Sequence, residues 1–166
     1  MTTQPAFDPL RILEALDSGG VSFIVVGGFA GNLQGSPSFT TDLDICYARD
    51  AANLQALANV LASLNAQLRG VDRKVPFRLG ARSLKEGDSF TFMTDAGAFD
   101  ILGTPSGTGG FDDLARTATP MPLDGRTILV ASIDDLIRMK LAAGRPKDLI
   151  EAEVLGALRE EAAAYG

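Results

Sequence analysis

The chain has 166 residues, 46% of them hydrophobic and 22% charged, with a formal net charge of −6, one cysteine and no histidine. That length suits a single domain with a sizeable core, and the acidic balance argues against an extended DNA-binding or anionic-membrane surface. Missing histidine excludes Ser-His-Asp catalysis, Cys-His catalysis and histidine-bound zinc, and the lone Cys46 excludes an internal disulfide, which fits a reducing compartment.

The first ten residues lack the basic-then-apolar pattern of a signal peptide, and no apolar run is long enough to span a bilayer. A cytoplasmic protein with no membrane partner is therefore expected. Residues 8–17 predict a helix capped by Asp8, with Pro9 in its first turn and Leu10, Leu13 and Leu16 at helical spacing. Residues 21–26 (VSFIVV) predict a strand buried on both faces. Gly27-Gly28 ends it, and a short helix is expected from Phe29 to about Gln34. After the loop at 35–38, residues 41–47 alternate as a strand. Asp50 caps a helix to about residue 65, with Leu54, Leu57, Val60, Leu61 and Leu64 on its buried stripe.

Residues 66–86 give no clear period; one or two short strands among exposed Arg and Lys are expected. Residues 88–94 and 97–102 read as a hairpin turning at Asp95-Ala96-Gly97. The Gly-rich stretch 103–110 reads as the most flexible part of the chain. Short strands are expected over 121–131 around Asp124-Gly125. Ser132 then caps a helix with Ile133, Leu136, Ile137 and Leu141 as its stripe, and Gly144-Arg145-Pro146 stops it. A last helix runs from about Lys147 to Glu161. The whole reads as one domain over 1–166, with a helical C-terminal segment from about 132.

Three features carry chemistry. In a strand, Asp42 and Asp44 share a face while Leu43 and Ile45 take the other. Paired carboxylates repel unless a cation neutralises them, and hard oxygen ligands suit magnesium. An isolated Asp-x-Asp is equally an ordinary solvated strand end. Gly27-Gly28, between a buried strand and a helix, permits close backbone approach and offers free N–H groups to phosphate. The same pair also suits a plain tight turn, and it matches neither GxGxxG nor a Walker loop. Asp100 is a lone carboxylate in an apolar strand and needs a partner, either water at an edge or the Asp42/Asp44 site.

The segment from Val25 to Ile45 (VVGGFAGNLQGSPSFTTDLDI) resembles the signature of the DNA polymerase β-type nucleotidyltransferase superfamily. It is most similar to the small prokaryotic branch of minimal nucleotidyltransferases and AbiEii-type proteins of toxin–antitoxin and phage-defence systems. The segment from Leu136 to Leu149 (LIRMKLAAGRPKDL) is similar to that branch's C-terminal helix and turn, so the likeness covers roughly residues 21–150.

The resemblance implies an α/β (α+β) nucleotidyltransferase fold, a mixed β-sheet flanked by helices with the site at one sheet edge. It implies that Gly27 and Gly28 hold a nucleoside triphosphate. Asp42 and Asp44 would bind Mg2+ (or Mn2+), and Asp100 would complete the triad and help deprotonate a hydroxyl acceptor. Two metal ions about 4 Å apart would stabilise the attacking and leaving oxygens of an in-line displacement. Lys140, on the apolar stripe of its helix, either snorkels to water or meets phosphate; Arg145 and Lys147 are further candidates for phosphate. Asp148 either pairs with one of these cations or caps the last helix.

Two positions depart from the family pattern. Phe29 stands where many members have Ser, and Ser38 where the branch often has a basic residue. Both changes remove phosphate contacts. Cys46 continues the i+2 series after Asp44, but neighbouring carboxylates would raise its pKa, and a small buried residue is the simpler reading.

Two functions follow from this pattern. The first is a magnesium-dependent enzyme moving an NMP group from an NTP to a protein hydroxyl, an RNA end or a small molecule. RNA would need a basic patch from Arg69, Arg73, Lys74, Arg78 and Arg82. The second is a catalytically weak or inactive antitoxin or regulatory binding protein of the same fold, with a cognate toxin or antitoxin as partner.

Overall fold

The computed structural model describes residues 4–70 and 80–165. Its centre is a seven-stranded mixed sheet, counted among the described residues, in the order β3-β4-β5-β2-β1-β7-β6. The strands are β1 (Phe23–Val26), β2 (Asp42–Tyr47), β3 (Gln67–Leu68), β4 (Ser89–Thr94), β5 (Gly97–Leu102), β6 (Thr119–Leu123) and β7 (Arg126–Val130). Around it lie α1 (Pro9–Ser18), α2 (Gly27–Leu33), α3 (Ala51–Ser63), α4 (Ala81–Glu86), α5 (Phe111–Ala115), α6 (Ile133–Ala143) and α7 (Pro146–Tyr165).

Local chemistry sets most of these boundaries. The Asp8 carboxylate accepts from the Arg11 N–H at the start of α1, Asp50 accepts from Asn53 at α3, and the Ser132 hydroxyl accepts from Asp135 at α6. Gly144 ends α6 in the left-handed region, where its N–H donates to the Lys140 carbonyl. The β6–β7 hairpin turns on Asp124 (φ 52°) and Gly125 (φ 77°), two positive-φ residues in a row, the pairing that a two-residue hairpin needs. Pro120 and Pro122 sit in β6, which is tolerated because β6 is an edge strand.

β1 is buried along its whole length, as its apolar run predicts, because β2 and β7 flank it and helices cover the sheet. The core draws on Ile12, Leu16, Ile24, Leu43, Ile45, Leu57, Leu61, Phe92, Phe99 and Ile101. Asn53 is buried but satisfied: its side chain accepts from the Ser22 N–H and donates to the carbonyls of Ser22 and Ala48, tying α3 to the end of the β1–β2 pair where β1 starts and β2 stops.

Several expectations need correction. α2 begins at Gly27 rather than Phe29, so the two glycines form its first turn. Leu10 and Leu141 are largely exposed; Ile12 joins Leu13 and Leu16 inside, and α6 fully buries only Leu136 of its stripe. α5 was not foreseen, because five residues are too few to show a helical period. Residues 103–110 form a hydrogen-bonded loop: Gly103 N–H donates to the Asp88 carbonyl at 2.7 Å, Thr108 hydroxyl to the Pro105 carbonyl at 2.8 Å, and Gly109 N–H to the Asp113 carboxylate at 2.8 Å. The residues that a basic patch for RNA would need are divided. Arg73, Lys74 and Arg78 lie outside the described residues, Arg82 pairs with Glu86 on the surface of α4, and Arg69 turns toward the sheet.

Candidate active site

The acidic residues meet through strand register. β2 and β5 run parallel, and Asp44 stands directly opposite Asp100. Asp42 is two residues earlier on the same face of β2. One carboxylate oxygen from each of Asp42, Asp44 and Asp100 lies within 4.8 Å of the others. The three strands involved, β5, β2 and β1, are interior to the sheet. The cluster therefore sits on central strands and not at a lateral sheet edge, since β4 and β3 extend the sheet past β5, and β7 and β6 extend it past β1.

β1 is antiparallel to β2, and Val26 pairs with Asp44. Gly27, the next residue, is thus carried against the Asp44 carboxyl. A Cβ on Gly27 would overlap Asp44 Oδ2 and stand 2.9 Å from its Cβ and Cγ, and Gly27 has φ +69°. On both counts the position requires glycine. At Gly28 a Cβ would come within 3.0 Å of the Thr40 hydroxyl oxygen. That hydroxyl in turn donates to the Asp42 carbonyl at 3.2 Å.

The electrostatics follow from crowding. Burial, then the charges of Asp42 and Asp100, push the Asp44 carboxyl up to about 8; Lys140 pulls the other way. Burial also raises Asp100, against the opposing pull of Arg69. Asp44 Oδ1 is buried with no hydrogen-bond partner among the described residues. Three hard carboxylates converging on one point, with an orphaned oxygen among them, fit a divalent magnesium- or manganese-type cation.

The basic candidates behave differently from one another. Lys140 on α6 is half-buried, its ammonium 3.5 Å from Asp148 Oδ1 and its charge felt at Asp44. Asp148 is buried at the third residue of α7. It accepts from the Arg145 backbone N–H at 3.2 Å and from the Arg145 Nε at 2.6 Å, so it both caps α7 and pairs with cations. Those Arg145 hydrogen bonds hold the Asp148 carboxyl below its usual range. The Arg145 side chain is otherwise 63% exposed, and Lys147 is exposed in the first turn of α7. Asp148 thus holds both Lys140 and Arg145, with Lys140 within electrostatic reach of Asp44.

Phe29 is half-buried against the core. Ser38 donates to Glu151 Oε2 at 2.5 Å and Ser36 donates to Oε1 at 2.9 Å, so a carboxylate of α7 grips the loop before β2. Cys46 is fully buried, donates to the Gly103 carbonyl, and its thiol is pushed up to about 12 by burial and by Asp88. It takes no part in the site. Sequence reasoning missed the contact of Arg69 with Asp100 and the grip of Glu151 on the loop. Arg69 follows a two-residue strand with no readable period, and Glu151 lies 113 residues from Ser38.

No family model and no curated protein matches the chain. Solved structures do. The lincosamide antibiotic adenylyltransferase LnuA, in its lincomycin-bound crystal structure, superposes with a TM-score of 0.63 at 13% identity, covering 93% of this chain and 99% of that one. The chain has the nucleotidyltransferase fold. A candidate nucleotidyltransferase of Thermotoga maritima gives a TM-score of 0.56 at 18% identity, over 95% of this chain and 97% of that one. ANT(2")-Ia in complex with adenylyl-2"-tobramycin gives 0.52 at 15% identity, over 95% and 97%. No helix among the described residues is long and apolar enough to cross a membrane.

Proposed function

We propose that this chain is a magnesium-dependent nucleotidyltransferase, acting as a single cytoplasmic domain, that moves an NMP group from an NTP to a hydroxyl acceptor. The observation that carries the reading is the convergence of Asp42, Asp44 and Asp100 beside the bare Cα of Gly27. Asp42, Asp44 and Asp100 hold the metal, which when bound neutralises the triphosphate and stabilises charge on the reacting oxygens. Gly27 and Gly28 leave room for the triphosphate against the start of α2. Lys140 faces the phosphates, and Arg145 and Lys147 are further phosphate contacts. Asp100 takes the proton of the acceptor hydroxyl as its oxygen bonds to the α-phosphorus. The bond from that phosphorus to the bridging oxygen breaks, and pyrophosphate leaves.

A small-molecule hydroxyl is the favoured acceptor. Structures with this fold include enzymes named for adenylylating antibiotics, and they match this chain over nearly its whole length. The acidic net charge counts against an RNA end. The likeness of residues 25–45 and 136–149 to the AbiEii-type branch supports a place in a toxin–antitoxin or phage-defence system. A second reading, a binding protein without turnover, draws on Phe29 and on Ser38, whose hydroxyl is already committed to Glu151. Incubation with α-phosphate-labelled NTPs, magnesium and panels of small-molecule, protein and RNA acceptors separates the two. Label transfer with pyrophosphate release, lost in Asp44→Asn, is expected; no transfer above the Asp44→Asn level with any panel decides for the second reading.

A further inference from the structure

The acidic cluster continues sideways into a cation. Asp44 on β2 pairs with Asp100 on β5, Asp100 pairs with Thr91 on β4, and the Arg69 N–H donates to the Thr91 carbonyl at 2.9 Å. These four residues form one row that crosses β2, β5 and β4 and ends at Arg69, just past β3. Adjacent strands lie roughly 4.8 Å apart, so an arginine side chain is long enough to pass over Thr91 and reach Asp100. It does so: the Arg69 guanidinium is hydrogen-bonded to the Asp100 carboxylate.

Solvent reaches this pair. Both partners keep some solvent exposure, 31% for Arg69 and 18% for Asp100. Solvent contact of this kind weakens an ion pair. Arg69 Nε is buried with no hydrogen-bond partner among the described residues, so the planar fork is only partly used. A divalent cation held by three carboxylates would outweigh one such pair, and it would repel the guanidinium.

We propose that Arg69 is a displaceable counter-ion of the acidic cluster: it holds Asp100 while no metal is bound, and metal entry frees its fork for the phosphate oxygens of the nucleotide. Arg69 is then a positioning residue for Asp100 and a phosphate contact in turn. This rests on the metal and nucleotide reading above. It makes two effects of one substitution opposite in sign, which a purely structural arginine does not.

The test compares wild type with Arg69→Met at about pH 8, where protons compete less with metal. Manganese binding without nucleotide is followed by electron paramagnetic resonance, and nucleotide binding with metal by calorimetry. Arg69→Met is expected to bind manganese about fivefold more tightly, the equivalent of about 1 kcal/mol, and to bind nucleotide more weakly. Manganese binding that is unchanged or weaker in Arg69→Met overturns the proposal while leaving the metal site in place. Wild type that takes up no manganese, with or without nucleotide, overturns the metal site and this proposal together. Should Arg69→Met fail to fold, phenylglyoxal modification of Arg69 in the wild type, read by peptide mass spectrometry, decides. Manganese alone is expected to speed the reaction, and an equal or slower rate overturns the proposal.

Discussion

Gly27 directly follows Val26, the β1 partner of Asp44, and lies so close to Asp44 that a single methyl group on Gly27 would displace its carboxyl. Gly27→Ala is therefore expected to act twice. It forces a side chain into φ +69°, a strain of about 1–3 kcal/mol, and it pushes Asp44 out of line with Asp100. Thermal denaturation should show the loss of stability, and manganese titration should show the loss of the metal site. Manganese affinity equal to wild type would mean that Gly27 is needed for the turn alone.

Asp44 makes the metal-free protein sensitive to alkali. Its carboxyl titrates near 3.8 when unfolded and near 8 when folded, raised by burial and by its acidic neighbours. Between those values the folded state holds a proton that the unfolded state has released, so stability falls as pH rises through that window. The loss is on the order of a few kcal/mol. Asp44→Asn should remove most of this slope and be more stable than wild type at about pH 8 without metal. Added magnesium should stabilise wild type at that pH and not the variant. Denaturant titrations across pH check this, and a wild-type profile as flat as that of Asp44→Asn would show that the carboxyl is not buried among like charges.

Lys140 is the cation whose charge opposes the raised pKa of Asp44. Lys140→Met should move the Asp44 titration further up in the metal-free protein. It should also weaken nucleotide binding by about tenfold, with a smaller effect on the rate at saturation, as expected for a group that meets phosphate in both ground and transition states. Carboxyl carbon chemical shifts followed against pH, together with calorimetry, test both parts. An unmoved Asp44 titration with unchanged nucleotide affinity would reduce Lys140 to a partner of Asp148.

Much of this was legible in the chain because it is local. The caps at Asp8, Asp50 and Ser132, the stop at Gly144 and the hairpin turn at Asp124-Gly125 are each written in a few adjacent residues. The convergence of Asp100 on Asp44 was legible in part. A lone carboxylate in an apolar strand announces that it has a partner, and parallel β2–β5 pairing supplies the one expected. What stayed hidden depends on long-range placement. Arg69 is reached only by crossing β4, Glu151 only by laying α7 against the loop before β2, and the central position of the site only from the strand order. Helical period also overstated burial at Leu10 and Leu141, because a stripe gives a direction but not the depth of the surface it meets.

The central claim is a site for metal and nucleotide built on Asp42, Asp44 and Asp100 beside Gly27. Isothermal titration of the protein with ATP, GTP, CTP and UTP, each with and without magnesium, tests it most directly. Magnesium-dependent binding of at least one nucleotide, abolished in a folded Asp44→Asn variant, is the predicted result. Absence of magnesium-dependent binding for all four, or binding undiminished in Asp44→Asn, would contradict it.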